Sequence, residues 1–266
     1  MDYIAAMEQR KSVRSYSKEA PDEKIIAQLK ELLEQSQSGT AKGKVRFVTV
    51  TESRQMKEAK TGFLYGIGKI HAPAMVVGIC EEEEDLTEIG FCMEKAALFL
   101  TAEGYGSCFL GTYDEKMLRS YCKLSEQEKI GIVLVFGKAN TDRSFMNKTF
   151  RNLAGSSRRK PYPEILLNAE DYSEADTAVD AVKHAIMAPS GSNRQPVRVV
   201  IKENEAVFYL KDGHWIDLGI FLANFYLYCL ETYDNVSMTK NVKGREAADG
   251  MEPVAMIFWQ ERKACH

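Results

Sequence analysis

The chain repeats an order of elements, and that repeat constrains its fold more than any single motif. The stretch EIGFCMEKAALFLTAEGYG from Glu88 aligns with DLGIFLANFYLYCLETYDN from Asp217 at an offset of 129. Each opens on an acid, an apolar residue and a glycine, and each continues with a long apolar pattern at helical spacing. The stretch SGTAKGKVRFVTV from Ser38 aligns with SGSNRQPVRVVIK from Ser190 at an offset of 152. Each opens Ser-Gly and starts a β-branched strand with Val-Arg. A late strand also recurs, as IGIVLVFG at 130–137 and PVAMIFW at 253–259. Similar amphipathic helices also arise by chance, but here the matches agree in order and in element type. We therefore expect two halves, 1–167 and a shorter 168–266. Two halves of one chain can stand to each other as the subunits of a symmetric dimer do. A ligand lying between subunits would then lie between halves.

The copies differ where chemistry could reside. Asn193, Gln195 and Pro196 align with Ala41, Gly43 and Lys44, so the side-chain amides occur only in the second copy. Those amides sit in APSGSNRQP, residues 188–196, between a helical pattern (Val179, Val182, Ala185, Ile186) and the strand VRVVIK. An amide both donates and accepts, which matches a heterocycle edge carrying N–H and C=O. Taken singly, the loop also reads as a plain helix-ending turn. After the long helix the first copy has GYGSCFLGT, with Gly104, Gly106 and Gly111, where the second has YDNVSMT. Glycine permits close backbone approach to a ligand.

The basic set Arg10, Ser12 and Arg14 stands at the start of the first copy only. In an extended segment these alternating side chains share a face. Two guanidiniums and a hydroxyl suit a phosphate, which takes bidentate Arg hydrogen bonds. SSRRKP at 156–161 adds Arg158, Arg159 and Lys160. Each basic cluster alone also reads as a solvated patch. If a dimer of such units has two equivalent sites, this chain is expected to keep one.

Several function classes are excluded or disfavoured. A net charge of −3 and a pI near 5.9 disfavour a general nucleic-acid binder. The six cysteines lack CxxC spacing and the four histidines are scattered, so no zinc or other metal site is expected. Buried free thiols are expected instead. The longest apolar stretch, IFLANFYLYCL, is too short to span a bilayer and contains Asn224, so no membrane association is expected. The start, MDYIAAMEQRK, has an early acid and no apolar core, so a cytoplasmic protein is expected. GFLYGIGKI fails as a P-loop because Ile70 stands where Ser or Thr is needed. EEEED at 81–85 reads as a solvated loop or as acid for the next helix's positive end.

Together these motifs resemble the nitroreductase family of flavoproteins. The resemblance rests on Arg10-x-Ser12-x-Arg14, Ala188–Pro196, HAPAMVVGI at 71–79, AEGYGSCFLGT at 102–112 and RRKPYPEIL at 158–166. Members normally place Ala-Pro-Ser-x-x-Asn soon after Arg-x-Ser-x-Arg. Here it falls in the second copy, as in a fused, single-chain variant of the family dimer.

The resemblance implies an α+β three-layer sandwich with FMN between the halves, one per chain, and NAD(P)H as transient reductant. It implies that Arg10, Ser12 and Arg14 hold phosphate, ribityl and pyrimidine edge, with Arg158 or Arg159 completing the phosphate site. Pro189, Ser190, Gly191, Asn193 and Gln195 would approach from the other half, and Leu110 and Gly111 would lie near the ring. Val197 replaces the usual bulky aromatic after Gln-Pro. The implied activity is FMN-dependent reduction of a small electron-poor acceptor, such as a nitroaromatic or quinone, by a chain expected to be monomeric. No catalytic side chain is implied, since the cofactor does the chemistry. A non-enzymatic flavin-binding or scaffold protein, or another flavin reaction such as reductive dehalogenation, remains open from sequence.

Overall fold

A computed structural model describes residues 1–36, 44–51, 63–64, 68–140 and 158–262. The first-copy loop SGTAKG and half of TGFLYGIGKI lie outside them, as does Cys265. Helices α1 (Tyr3–Gln9) and α2 (Glu23–Ser36) precede strand β1 (Val45–Val50) and a two-stranded hairpin, β2 (Phe63–Leu64) with β3 (Gly68–Lys69). Strand β4 (Ala74–Cys80), helix α3 (Leu86–Ala102), β5 (Gly106–Leu110), α4 (Glu115–Cys122) and β6 (Lys129–Gly137) follow. Later come α5 (Thr177–Ile186), β7 (Val197–Lys202), β8 (Glu205–Leu210), α6 (Trp215–Thr232), β9 (Asp234–Thr239) and β10 (Pro253–Gln260).

Two four-stranded sheets result, β1-β4-β6-β5 and β7-β8-β10-β9, antiparallel throughout. With the hairpin set aside, each sheet places its strands in the order first, second, fourth, third. In each, a long helix joins the second strand to the third.

The side-chain alternation of the strands builds the layers. In β4, Ala74, Val76 and Cys80 join Ile89, Met93 and Ala97 of α3, while Met75, Val77 and Ile79 face the opposite way. That outer face is covered by Val13, Tyr16 and α4. In the second sheet, Ala206, Phe208 and Ile257 pack on α5 and α6, and Val207 and Met256 face outward. The helices α3 and α6 therefore lie between the two sheets, and the fold is α+β.

The two long helices meet at glycines. A Cβ on Gly90 would overlap the Ile216 carbonyl oxygen, and one on Gly219 would overlap that of Thr87. Thr87 and Ile216, like Gly90 and Gly219, are separated by 129 positions. The contact is thus reciprocal in the sense of a two-fold interface. Cys80, Cys92, Cys108, Cys122 and Cys229 are free and buried. Among the described residues, no helix is long and apolar enough to cross a membrane, and no cluster of His, Cys, Asp or Glu is gathered to hold a metal.

Candidate functional site

Helix α1 is one short amphipathic run, capped at its start where Asp2 accepts from the Ala5 N–H at 2.9 Å. It ends at Arg10, whose backbone turns extended. From there the chain runs beside β5, pairing Ser12 with Ser107 in parallel, and Val13 N–H donates to the Ser107 carbonyl at 2.9 Å. Close approach requires Gly106, where a Cβ would stand 2.6 Å from Val13 Cγ2. Val13 points into the core and the flanking Ser12 and Arg14 are only partly buried, as alternation in an extended segment demands. Ser12, Arg10 and Arg14 all act on Cys108 of β5. Burial pushes its thiol up, and the two guanidiniums and the Ser12 hydrogen bond pull it back. Leu110 closes the same strand and is buried, while Gly111 is exposed with open space where a side chain would be.

The second group gathers at the end of α5. The Met187 carbonyl accepts from Arg10 Nη2 at 3.4 Å and from Arg159 Nη2 at 3.2 Å. A helix C-terminus carries partial negative charge and unpaired carbonyls, so two cations there are electrostatically favoured. Arg159 Nη1 also donates to Asn193 Oδ1 at 2.7 Å. The amide of Asn193 donates in turn to the Arg158 carbonyl at 2.7 Å. Gln195 accepts from the Lys160 N–H at 2.8 Å and donates to the Arg158 carbonyl at 3.3 Å. The side-chain amides of the loop thus engage the backbone of segment 158–160.

The loop itself is tightly turned. Ser192, Asn193 and Gln195 are left-handed at φ 52°, 56° and 50°. Non-glycine residues rarely adopt this region, although Asn tolerates it better than most. Local bonds hold the shape: Gln195 N–H donates to Ser190 Oγ at 3.0 Å, and Gly191 N–H donates to the Asp217 carboxylate at 2.9 Å. Burial raises the Asp217 carboxyl above its usual range and the Gly191 hydrogen bond opposes this. Pro189 and Ser190 line a small cleft walled by residues between 165 and 221.

Two residues without a sequence-level role prove central. Glu94 lies in the middle of α3, fully buried, with Oε1 at 3.5 Å from Arg10 Nε. Burial pushes its carboxyl up to about 7, while Arg10 and Arg159 pull it down. Its signal in the sequence is a lone acid within the apolar run GFCMEKAALFL. Asp217 is the second residue, and its signal is the acid that opens the repeated helix.

The arrangement therefore joins Arg10 and Arg159 around one carbonyl, with Asn193 held by Arg159 and Arg158 and Gln195 attached. Ser12 and Arg14 stand around Cys108, and Arg10 acts on both groups. Pro189, Ser190 and Gly191 lie just beyond Met187. Gly111 stands apart from both groups.

A family model described as "Putative TM nitroreductase" matches residues 2–229. The chain belongs to this nitroreductase family. A protein of that description from Thermotoga maritima MSB8 shares its fold at a TM-score of 0.67 and 22% identity, over 97% of this chain and 94% of that one. A nitroreductase with bound FMN from Desulfitobacterium hafniense DCB-2 is 20% identical, over 53% of this chain and 91% of that one, at a TM-score of 0.45. Another with bound FMN, from Bacteroides fragilis NCTC 9343, is 18% identical over 53% and 89%, also at 0.45. No curated protein matches the chain. The two-sheet, central-helix architecture of this nitroreductase-family chain is accordingly a nitroreductase fold, and its arginine-rich group lies where elements of both predicted halves meet.

Proposed function

We propose that the chain is an FMN-dependent oxidoreductase that carries electrons from NAD(P)H to a small electron-poor acceptor such as a nitroaromatic or quinone. The carrying observation is that Arg10, from the first half, and Arg159, from the segment that leads into the second, converge on one carbonyl at the edge of the amide loop. That donor set suits the flavin's phosphate, because each guanidinium presents five N–H donors in a planar fork. Arg158 extends the same cationic edge. Ser12 and Arg14 would hold the ribityl chain and the pyrimidine edge, and Arg14 places a cation near the negative charge of a reduced ring. Leu110 and Gly111 leave room beside the ring, and Pro189, Ser190 and Gly191 would approach from the second half with Asn193 and Gln195. When bound, FMN supplies the hydride chemistry itself. The chain's residues bind it, orient it and exclude water, and no side chain is assigned a proton-transfer role.

We further read the two halves as a fused counterpart of a homodimer, so that the chain acts as a monomer. The shared strand order and the reciprocal Gly90–Gly219 contact support this reading. Because the arginine motif occurs in one half and the amide loop in the other, one FMN per chain is expected.

The test is a visible-spectrum titration of the purified protein with FMN. Saturation at one equivalent, lost in Arg10→Ala and Arg14→Ala, and bleaching of the bound flavin by NADH or NADPH, support the proposal. Two equivalents break the one-site reading and keep the flavin. No binding leaves the chain as a scaffold on this fold.

A further inference from the structure

Among the described residues, Glu94 is the one at the arginine cluster whose charge is unanswered by a hydrogen bond. Both carboxylate oxygens are buried and neither has a hydrogen-bond partner. Arg10 lies beside it at 3.5 Å, and its Nη2 donates to Met187. Arg159 also acts on it, while donating to Met187 and Asn193. Among the described residues these two guanidiniums, from the end of α1 and from segment 158–160, are the charged groups that bear on Glu94; no charge from α2, α6, β4, β5 or β6 does so. The pair Arg10–Glu94 is almost wholly out of water, at 5% and 0% side-chain exposure.

Such a site holds one buried cation, Arg10, and one half-buried cation, Arg159, against one buried anion. An ionised carboxylate without hydrogen bonds is costly in that setting and is retained only by the neighbouring positive charge. An incoming phosphate would draw on the same positive charge. Two anions sharing one pair of cations raise each other's proton affinity.

We propose that Glu94 is a built-in counter-anion for Arg10 and Arg159, and that an anion binding at these arginines displaces its charge by protonating it. This rests on the reading of the arginines as the anion-binding pair. Glu94 is a positioning residue here: it keeps the two guanidiniums close together without a ligand and neutralises itself when one arrives. Its carboxyl stands near 7 without a ligand, so the exchange falls in the neutral range. Each bound anion draws a fraction of a proton from solvent onto the Glu94 carboxylate, set by how much of it was ionised beforehand.

The experiment is titration calorimetry with FMN and, separately, with inorganic phosphate at pH 7.5, in buffers of different ionisation enthalpy. The wild type is expected to take up on the order of half a proton more per bound anion than Glu94→Gln. Glu94→Asp, which keeps an acid, should restore the uptake. Protons belonging to the phosphate itself are common to all variants and cancel. Wild-type affinity for FMN should also weaken from pH 7 to pH 9, by several-fold overall, and this holds even if Glu94→Gln does not fold. Equal uptake in wild type and Glu94→Gln, or an affinity flat across that range, overturns the proposal and leaves the flavin reading intact. Phosphate-linked uptake without FMN binding does the reverse. Failure of both ligands to bind overturns both.

Discussion

The first sheet with α3 and the second sheet with α6 share strand order, helix placement and a glycine crossing, yet they carry different polar groups. The first unit is buried on both faces of its sheet and contributes arginines at its leading edge. The second presents a loop with three left-handed residues, fastened by Asp217 to the start of α6. The shared part is what the core needs: alternating strands and a helix pair close enough to touch backbone to backbone. On the proposed one-site reading, the divergent part supplies what a single ligand needs: one set of cations and one facing loop. A separate dimer cannot divide labour this way, since any change appears in both subunits.

The largest test of the shared part lies at the helix crossing. In Gly219→Ala the new methyl overlaps the Thr87 carbonyl, and backbone cannot step aside as a flexible side chain does. A loss of about 4 kcal/mol or more in urea unfolding is expected. Gly90→Ala should cost a comparable amount, because its contact with Ile216 is the mirror of the first. A near-neutral result at one position and a severe one at the other would show that the crossing is not symmetric.

Much of this comparison was legible in the sequence. Apolar spacing located α5 and β7, and the repeated acid-apolar-glycine opening marked the residues at which α3 and α6 meet. Alternation in RKSVRS put Ser12 and Arg14 on one face, and Val13 between them turns into the core. Two things were not legible. Asn193 and Gln195 engage the backbone of Arg158 and Lys160 across more than thirty residues of chain, and no local pattern encodes that pairing. Glu94 reads as an oddity in an apolar run, and only the fold shows that two arginines from distant segments come to face it. The first-copy loop that would complete the comparison, SGTAKG, lies outside the described residues.

The next effect is a pH dependence centred on Glu94 in the first half. Burial raises Glu94 from the ordinary carboxyl value to about 7 in the folded chain. The native state therefore holds a proton that the unfolded state has released, and stability falls as pH rises from about 4.5 to about 7. Glu94→Gln removes that dependence. The stability difference between variant and wild type should shift in the variant's favour by about 3 kcal/mol between pH 4 and pH 8, as an upper bound. Urea midpoints at the two pH values measure it. A constant difference across the range would mean that Glu94 titrates normally in the folded protein. The second half supplies a control, since the Asp217 carboxyl is raised too but is partly held by the Gly191 N–H.

The smallest effect separates the two helix openings. Asp217→Ala leaves the Gly191 N–H without its carboxylate, and loss of a partner for a part-buried donor costs about 1–2 kcal/mol. The loop it fastens carries the amides that engage segment 158–160, so FMN affinity should fall with stability. Glu88 holds the matching place at the start of α3 and is more deeply buried, so Glu88→Ala should also destabilise the chain. Its effect on FMN affinity should nevertheless be slight, because the loop that meets the arginines belongs to the other half. Spectral titration of both variants decides between a one-sided and a two-sided arrangement. If Glu88→Ala weakens FMN as much as Asp217→Ala does, the first copy's loop also contributes to binding. The division of labour between the halves would then be incomplete.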